Sequence, residues 1–498
     1  MAERRHRRVR GECRALRGSV GRAVALFCLP VLFWALLWVL WPARVDAADV
    51  ADSAADTASP DKNSASRTLL PEDSPLSPLV NDAHLSGGLY FFGRDRQRYD
   101  VERKTYRTNL RHGSLQANLD LVSGYAWDHL GFDFGVFTSH DLFNYGAPDH
   151  EMGYVPWQDP WHPDWSRHFT LSGVSIYKAA LKAKAGPAWL RAGWLQPEGP
   201  GVLGVNWSIM PGSWRGVNAG LDFGGFSVAG MVADTYKAPW FLDEYKLMKN
   251  DGESHVPGVW SLGARYVFDN GITLEAAYGQ SPGHLHNAHF KSSWELPAGP
   301  GRLKFGYHLY AMADSDDGGG VNNNFDGLAF QHYLFGLYEL DMWTFRLEGT
   351  YTAAPMSGPW SQGQFAYRLA DRNGGAKGAY EVWWDSRSDW NADDEKAVFA
   401  GVERRLDDIL PVKGFYVGVS GAMGWDGRGW GTSERLREWA VNGDLGYVKP
   451  DGPLEGAFVK LHYTEYRNGT DAPSWSVYKN GFQSEHDFKI LIGLPFSF

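Results

Sequence analysis

Three histidines crowd into six residues, His284, His286 and His289, and the first two sit two apart. On a strand that spacing points side chains the same way. Imidazoles so placed suit a transition metal, but no carboxylate or cysteine at a fixed offset completes a ligand set, so a solvated loop cluster is expected. Asp314-Ser315-Asp316-Asp317 before three glycines opens like a calcium loop and then lacks the glutamate at its twelfth position. An acidic loop is the better reading. Asp149-His150 and Glu485-His486 place an acid beside a histidine, yet sequence adjacency is not the geometry of a catalytic triad. No catalytic residue, cofactor or metal site is assigned.

Two other constellations suit the holding of a solute rather than its conversion. Tryptophans gather in the long links between apolar segments: Trp157, Trp161 and Trp165, then Trp207 and Trp214, then Trp240, then Trp383, Trp384 and Trp390. A flat aromatic face beside hydrogen-bonding groups grips a sugar ring, whose C–H face is apolar and whose rim carries hydroxyls. The same residues would equally pack links against one another. Cations form the second set. Lys178, Lys182 and Lys184 share one segment, Arg191 lies on the next, and Arg265, Lys304 and Arg346 follow on the same parity, with Glu275 and Glu348 among them. Facing a wet channel, they would orient polar solutes. They would also serve as ion pairs across a polar interior.

The elements that must position these residues are strands. In 343–351 the apolar set Trp343, Phe345, Leu347, Tyr351 alternates with Thr344, Arg346, Glu348, Thr350. The segments 272–278, 303–309 and 458–466 repeat the pattern, with charges always on one parity. One face is therefore apolar and the other wet. The last thirteen residues show it most plainly, since Phe488, Ile490, Ile492, Leu494, Phe496 and Phe498 are all large and apolar. Such an edge invites aggregation in water, whereas a closed membrane barrel turns it to lipid. Tight links (185–187, 224–225, 269–271, 297–301, near Asp341, 449–454) alternate with long ones (94–113, 139–172, 196–214, 236–257, 281–287, 312–327, 353–394, 425–438, 466–485). Nine long links joined this way predict an all-β fold, a transmembrane antiparallel β-barrel of about 18 strands, with short periplasmic turns and long extracellular loops.

Composition agrees. The 498 residues include 23 Trp and 59 Gly, and aromatics reach 15%, while the mean hydropathy is negative. Helical membrane spans would need runs of about 20 apolar residues, and the one long run, 23–41, follows eight arginines and precedes Val45-Asp46-Ala47. That is the layout of a signal peptide over 1–47. Its removal takes nine Arg and three acids, leaving 39 basic and 55 acidic residues, a net charge of −16. So acidic a chain argues against nucleic acid as a partner. Both cysteines, Cys13 and Cys28, lie in the leader. Residues 48–84, rich in Ala, Asp, Ser and Pro, read as a flexible periplasmic lead-in, and the barrel as 85–498.

From Ser86 to Phe498 the chain resembles the OprD-type outer-membrane porins, and most closely their chitoporin branch. The resemblance rests on 114–125 (SLQANLDLVSGY), 173–193 (GVSIYKAALKAKAGPAWLRAG), NWSIMPGSWRG at the end of 196–216, YKAPW at 236–240, WWDSRSDWNADDEKAVF at 383–399 and KLHYTEYRNGTDAPSW at 460–475. It implies a monomeric 18-stranded barrel passing small nutrients down their gradient. The third loop, 196–214, would fold inward as the constriction, and Lys178, Lys182, Lys184 and Arg191 would form a basic ladder. For the chitoporin branch the solute would be a short chitin-derived oligosaccharide, with Trp207 and Trp214 stacking on sugar rings and Asn206 and Arg215 bonding to hydroxyls. A porin for amino acids or small carboxylates, and a plugged surface-binding barrel, are the alternatives. The expected partners are outer-membrane lipid and lipopolysaccharide, and the barrel-assembly machinery through Phe498.

Overall fold

The computed structural model describes residues 74–498 apart from 101–102, 147–151, 155–170, 206–208, 210, 316–321, 356–362, 372–377, 429–433 and 470–482. The leader, residues 48–73 of the lead-in, Asp149, His150, Trp157, Trp161, Trp165, Asn206, Trp207, Asp316 and Asp317 therefore lie outside the described residues. Eighteen long strands make the wall: β1 (His84–Asp100), β2 (Thr105–Val122), β3 (Leu130–Gly146), β4 (Gly173–Ala185), β5 (Ala188–Leu195), β6 (Ser213–Phe223), β7 (Phe226–Lys237), β8 (Val259–Val267), β9 (Ile272–Ser281), β10 (Leu285–Ala298), β11 (Gly301–Asp314), β12 (Leu328–Leu340), β13 (Trp343–Ala353), β14 (Lys396–Arg405), β15 (Phe415–Arg428), β16 (Arg435–Val448), β17 (Phe458–Asn468) and β18 (Glu485–Ser497). A two-residue strand, Tyr245–Lys246, adds to the edge of β7 inside the fourth loop. Each long strand pairs antiparallel with its sequence neighbour, and β18 pairs with β1. The sheet is thus closed. A four-residue helix, α1 (Pro78–Asn81), leads into β1, and among the described residues no helix is long and apolar enough to cross a membrane.

Closure falls where the C-terminal alternation predicts. Thirteen residues of β18 pair in register with β1, from Ser86↔Ser497 to Arg98↔Glu485, and Leu85 and Phe498 exchange backbone hydrogen bonds of 3.1 and 2.8 Å. In lipid each unpaired backbone group costs several kcal/mol, so a spanning sheet must have no edge. The apolar parity faces out: Leu347 is 67% exposed and Leu181 71%, whereas their neighbours Glu348 and Lys182 are buried inside. Outside the wall is apolar, inside it is charged.

The link lengths hold with local exceptions. The first long link, read as 94–113, is largely strand, since β1 and β2 run on to Asp100 and from Thr105. The fifth shrinks to 282–284, so His286 and His289 stand on β10 rather than in a solvated loop. On the short-turn rim, 406–414 is longer than the tight-turn pattern suggests. Charged residues alternate along the end of β1, and that alternation suits a strand whose inner face is wet.

Deleting 488–498 should abolish insertion rather than weaken it, because it removes the partner of β1 and leaves two open edges. Heat-modifiable gel mobility and membrane fractionation should show no folded barrel.

Candidate pore constriction

Two loops on the long-loop rim turn inward and reach the mid-height of the wall. The third, 196–212, is closed at its base by Gln196 Nε2 donating to the Gly212 carbonyl at 3.1 Å. It is fixed to the wall by the Glu198 N–H to Asn218 Oδ1 at 2.8 Å and the Val202 N–H to Ser261 Oγ at 2.8 Å. Val202 and Leu203 join an apolar cluster with Tyr236, Phe325 and Tyr367, which fills part of the interior beneath that rim.

The seventh loop, 354–395, enters as deeply, which the sequence did not announce. Glu381 pairs with Lys291 of β10, and Tyr380 bonds to Gln331 of β12. Trp384 Nε1 donates to Glu348 Oε2 of β13 at 2.5 Å. Asp385 accepts from Lys489 of β18 at 2.7 Å and Lys460 of β17 at 3.3 Å. Arg387 pairs with Glu485 of β18, and Ser388 Oγ donates to Glu438 Oε1 of β16 at 2.8 Å. A loop crossing a wet lumen has little apolar surface to bury there, so charge-assisted bonds hold it. Burial alone would raise the Asp385 carboxyl, but Lys489, His462 and Lys460 outweigh it and hold the group well below the carboxylate range. That fastening, present above the ordinary aspartate range, therefore survives acid that protonates unperturbed carboxylates.

The two loops are zipped together. The Ala379 N–H donates to the Val202 carbonyl at 3.0 Å. A Cβ on Gly204 would lie 2.1 Å from the Gly378 carbonyl, and one on Gly378, whose φ is +56°, would lie 2.4 Å from the Val202 carbonyl. Only glycine permits this approach at both positions.

The inward cations are assembled as the parity requires, five of the seven beside an acid. Lys178 meets Asp120 at 3.0 Å, while Lys182 and Arg191 share Asp133 at 2.9 Å each. Arg191 also reaches Glu198 of the third loop at 2.7 Å, and Lys184 lies over the Tyr125 ring at 4.2 Å. Arg265 pairs with Glu275 and Arg346 with Glu348, both at 2.6 Å. Lys304 is exposed and has no ion-pair partner among the described residues. A third set went unread. Arg94, Arg96 and Arg98 line the inner face of β1 against Asp487 and Glu485 of β18. Their signal was there, three arginines at intervals of two, hidden by taking that stretch for a loop.

The tryptophans mostly pack. Trp214 is 2% exposed, donates from Nε1 to the Gly204 carbonyl at 2.7 Å and lies 4.6 Å from the Tyr236 ring. Trp384, also 2% exposed, stacks on Phe399 at 5.4 Å, and Trp240 is buried beside Phe241. These three offer no open face to a sugar; of the candidates within the described residues, Trp383 alone is half-buried. Arg215 is corrected too. It shares the outward parity of Val217 and Leu221 and pairs with Asp234 and Glu244 on the outer wall, away from the lumen. The histidines diverge: His284 contacts Asp371 at 2.6 Å, His286 bonds outward to Tyr278, and His289 bonds inward to Glu275 at 2.8 Å. Asp314 accepts the backbone N–H groups of Asn324 and Phe325 at 2.8 and 2.7 Å. Asp385, Asp444 and His462 come close enough to share a cation, with ligand atoms within 4.8 Å, but Lys460 and Lys489 already occupy those carboxylates.

A closed barrel with two infolded loops and a polar, ion-paired lumen is a pore, and comparison with known proteins agrees. A sequence model for outer-membrane porins of the OprD family matches residues 79–487. The chain belongs to the OprD porin family. It is 37% identical over 440 residues to the chitoporin of Escherichia coli (strain K12), covering 84% of this chain and 92% of that one. Among solved structures it is similar to OccAB1 of Acinetobacter baumannii, with a TM-score of 0.66 at 13% identity, covering 84% of this chain and 97% of that one. It is also similar to OpdK of Pseudomonas aeruginosa, solved with vanillate, with a TM-score of 0.63 at 16% identity, covering 84% and 100%. These structures share the fold. As a member of the OprD family the protein is an outer-membrane porin for small solutes, its long-loop rim is extracellular, and its residues hold a channel.

Two outcomes follow from the constriction. Burial raises the Glu198 carboxyl, Arg191 pulling the other way, and the net displacement is upward. Its charge is therefore lost on acidification before that of ordinary glutamates, which titrate at about 4.3. Reversal potentials in planar bilayers should then shift towards anions, and Glu198→Gln should show that shift already at neutral pH. Gly378→Val adds strain of about 1–3 kcal/mol at a positive φ and should part the two loops, seen as enlarged or noisier single-channel current with the barrel still folded.

Proposed function

We propose that this porin admits short chitin-derived oligosaccharides. The observation that carries the reading is the neutralisation of the lumen. Asp120, Asp133, Glu275, Glu348, Asp385 and Asp487 each face a lysine or arginine of the inner wall. What remains is a surface dense in hydrogen-bond donors and acceptors with little net charge, which suits a neutral polyhydroxylated chain. Binding attractive yet weak at successive sites lets such a chain pass. The chitoporin relative, similar over most of both chains, supports the same solute class. Trp383, Tyr125 and Tyr380 are half-buried rings and would supply apolar faces. Asn206 and Trp207 stay in the proposal as third-loop residues.

The second reading, a porin for amino acids or small carboxylates, is favoured by Lys304 and Lys184, lumen cations without a carboxylate partner among the described residues. A plugged surface-binding barrel is the third, prompted by the apolar cluster under the extracellular rim. The protein would reach the outer membrane as a monomer after loss of 1–47, with Phe498 presented to the assembly machinery.

Single-channel recording separates these. Chito-oligosaccharides should interrupt the current, and Trp383→Ala should weaken that block about 2- to 10-fold, the range of one aromatic contact. Block by carboxylates alone would replace the sugar reading with the second. No conductance from correctly folded protein would leave the plugged barrel.

A further inference from the structure

The outer wall carries a basic and aromatic patch that the pore does not use. At the extracellular ends of β14, β15 and β16, Lys396, Trp425 and Arg437 stand side by side, Lys396↔Trp425 and Trp425↔Arg437. All three share the parity of Val398, Met423 and Val441, which are exposed on the lipid side. One row nearer the membrane, exposed Trp439 of β16 is register partner to Arg467 of β17, and Arg435 stands two residues before Arg437. Four cations and two indoles therefore edge the apolar belt.

Three of these four cations meet an acid. Lys396 pairs with Asp426 at 2.7 Å, Arg435 with Asp394 at 2.8 Å, and Arg467 with Glu465. Arg437 is exposed and has no ion-pair partner among the described residues. A guanidinium presents a planar fork of donors that matches a phosphate. An indole seats at the boundary between headgroups and acyl chains, as Trp425 and Trp439 would on either side of it.

We propose that this patch is a binding site for the phosphorylated glycolipid of the outer leaflet, with Arg437 forked onto a phosphate. Lys396 and Arg435 flank that phosphate, and Trp425 and Trp439 pack against the glucosamine and the first acyl carbons. The site lies outside the channel, so it anchors the barrel in its leaflet without touching the solute path.

The test uses the full chain in mild detergent, stripped of bound glycolipid and titrated with bisphosphorylated lipid A, with its dephosphorylated form, and with phosphatidylglycerol. Bisphosphorylated lipid A should bind best. Arg437→Gln with Lys396→Gln should weaken it about 25-fold, at about a factor of five per cation near a charged surface, while Arg437→Lys keeps part of the affinity. Single-channel conductance should not change. Equal binding of the dephosphorylated form, equal binding of phosphatidylglycerol, or an unaltered affinity in the double variant would each overturn the proposal. The lipid comparison on the unaltered protein decides even if the variants fold poorly.

Discussion

A strand crossing hydrocarbon can satisfy its N–H and C=O groups only through its neighbours, and the first and last strands have only each other. The pairing of β1 with β18 is therefore the interaction on which the rest of the molecule depends. It also fixes what faces what. Register at the seam sets Arg94 against Lys489, Arg96 against Asp487 and Arg98 against Glu485. The inner face of the seam becomes a run of charges that bond straight across, as Arg98 does to Glu485, and diagonally, as Arg94 does to Asp487.

Closure makes an interior that no single strand possesses, and the interior sets the rules for the loops. A wet, charged lumen offers few apolar anchors, so beside the packing of Trp384 and Trp390 on Phe399 and Tyr466 the seventh loop is held by Glu381, Asp385 and Arg387, each placed opposite a wall residue of the other sign. Nearer the extracellular rim, where loops meet loops, apolar packing returns around Tyr236, Phe325 and Tyr367. The two regimes meet where Gly204 and Gly378 let backbone touch backbone. Charge fixes the depth of the seventh loop and glycine fixes its distance from the third.

The tryptophans show how far residue type can mislead. Aromatic crowding in long links is compatible both with sugar platforms and with packing, and Trp214, Trp240 and Trp384 went to packing because each found other rings or apolar neighbours around it. Trp384 even donates its indole N–H to Glu348, becoming part of the fastening itself. Arg215, expected to bond to hydroxyls beside the third loop, stands instead on the outward parity of β6, and one residue is the whole difference between lumen and lipid on a strand.

By itself the sequence determined the class of fold, the family, the parity of the plainly alternating strands and the closing role of the last one. These are carried by patterns of period two and by turn residues within a few positions of each other, so they are legible locally. Only the tertiary structure decided which loops enter the barrel, which cations keep an open face and which acids answer them. Arg94 and Asp487 are 393 positions apart, and Lys489 and Asp385 are 104. Nothing local in the chain records such a meeting, because closing the ring is what creates it.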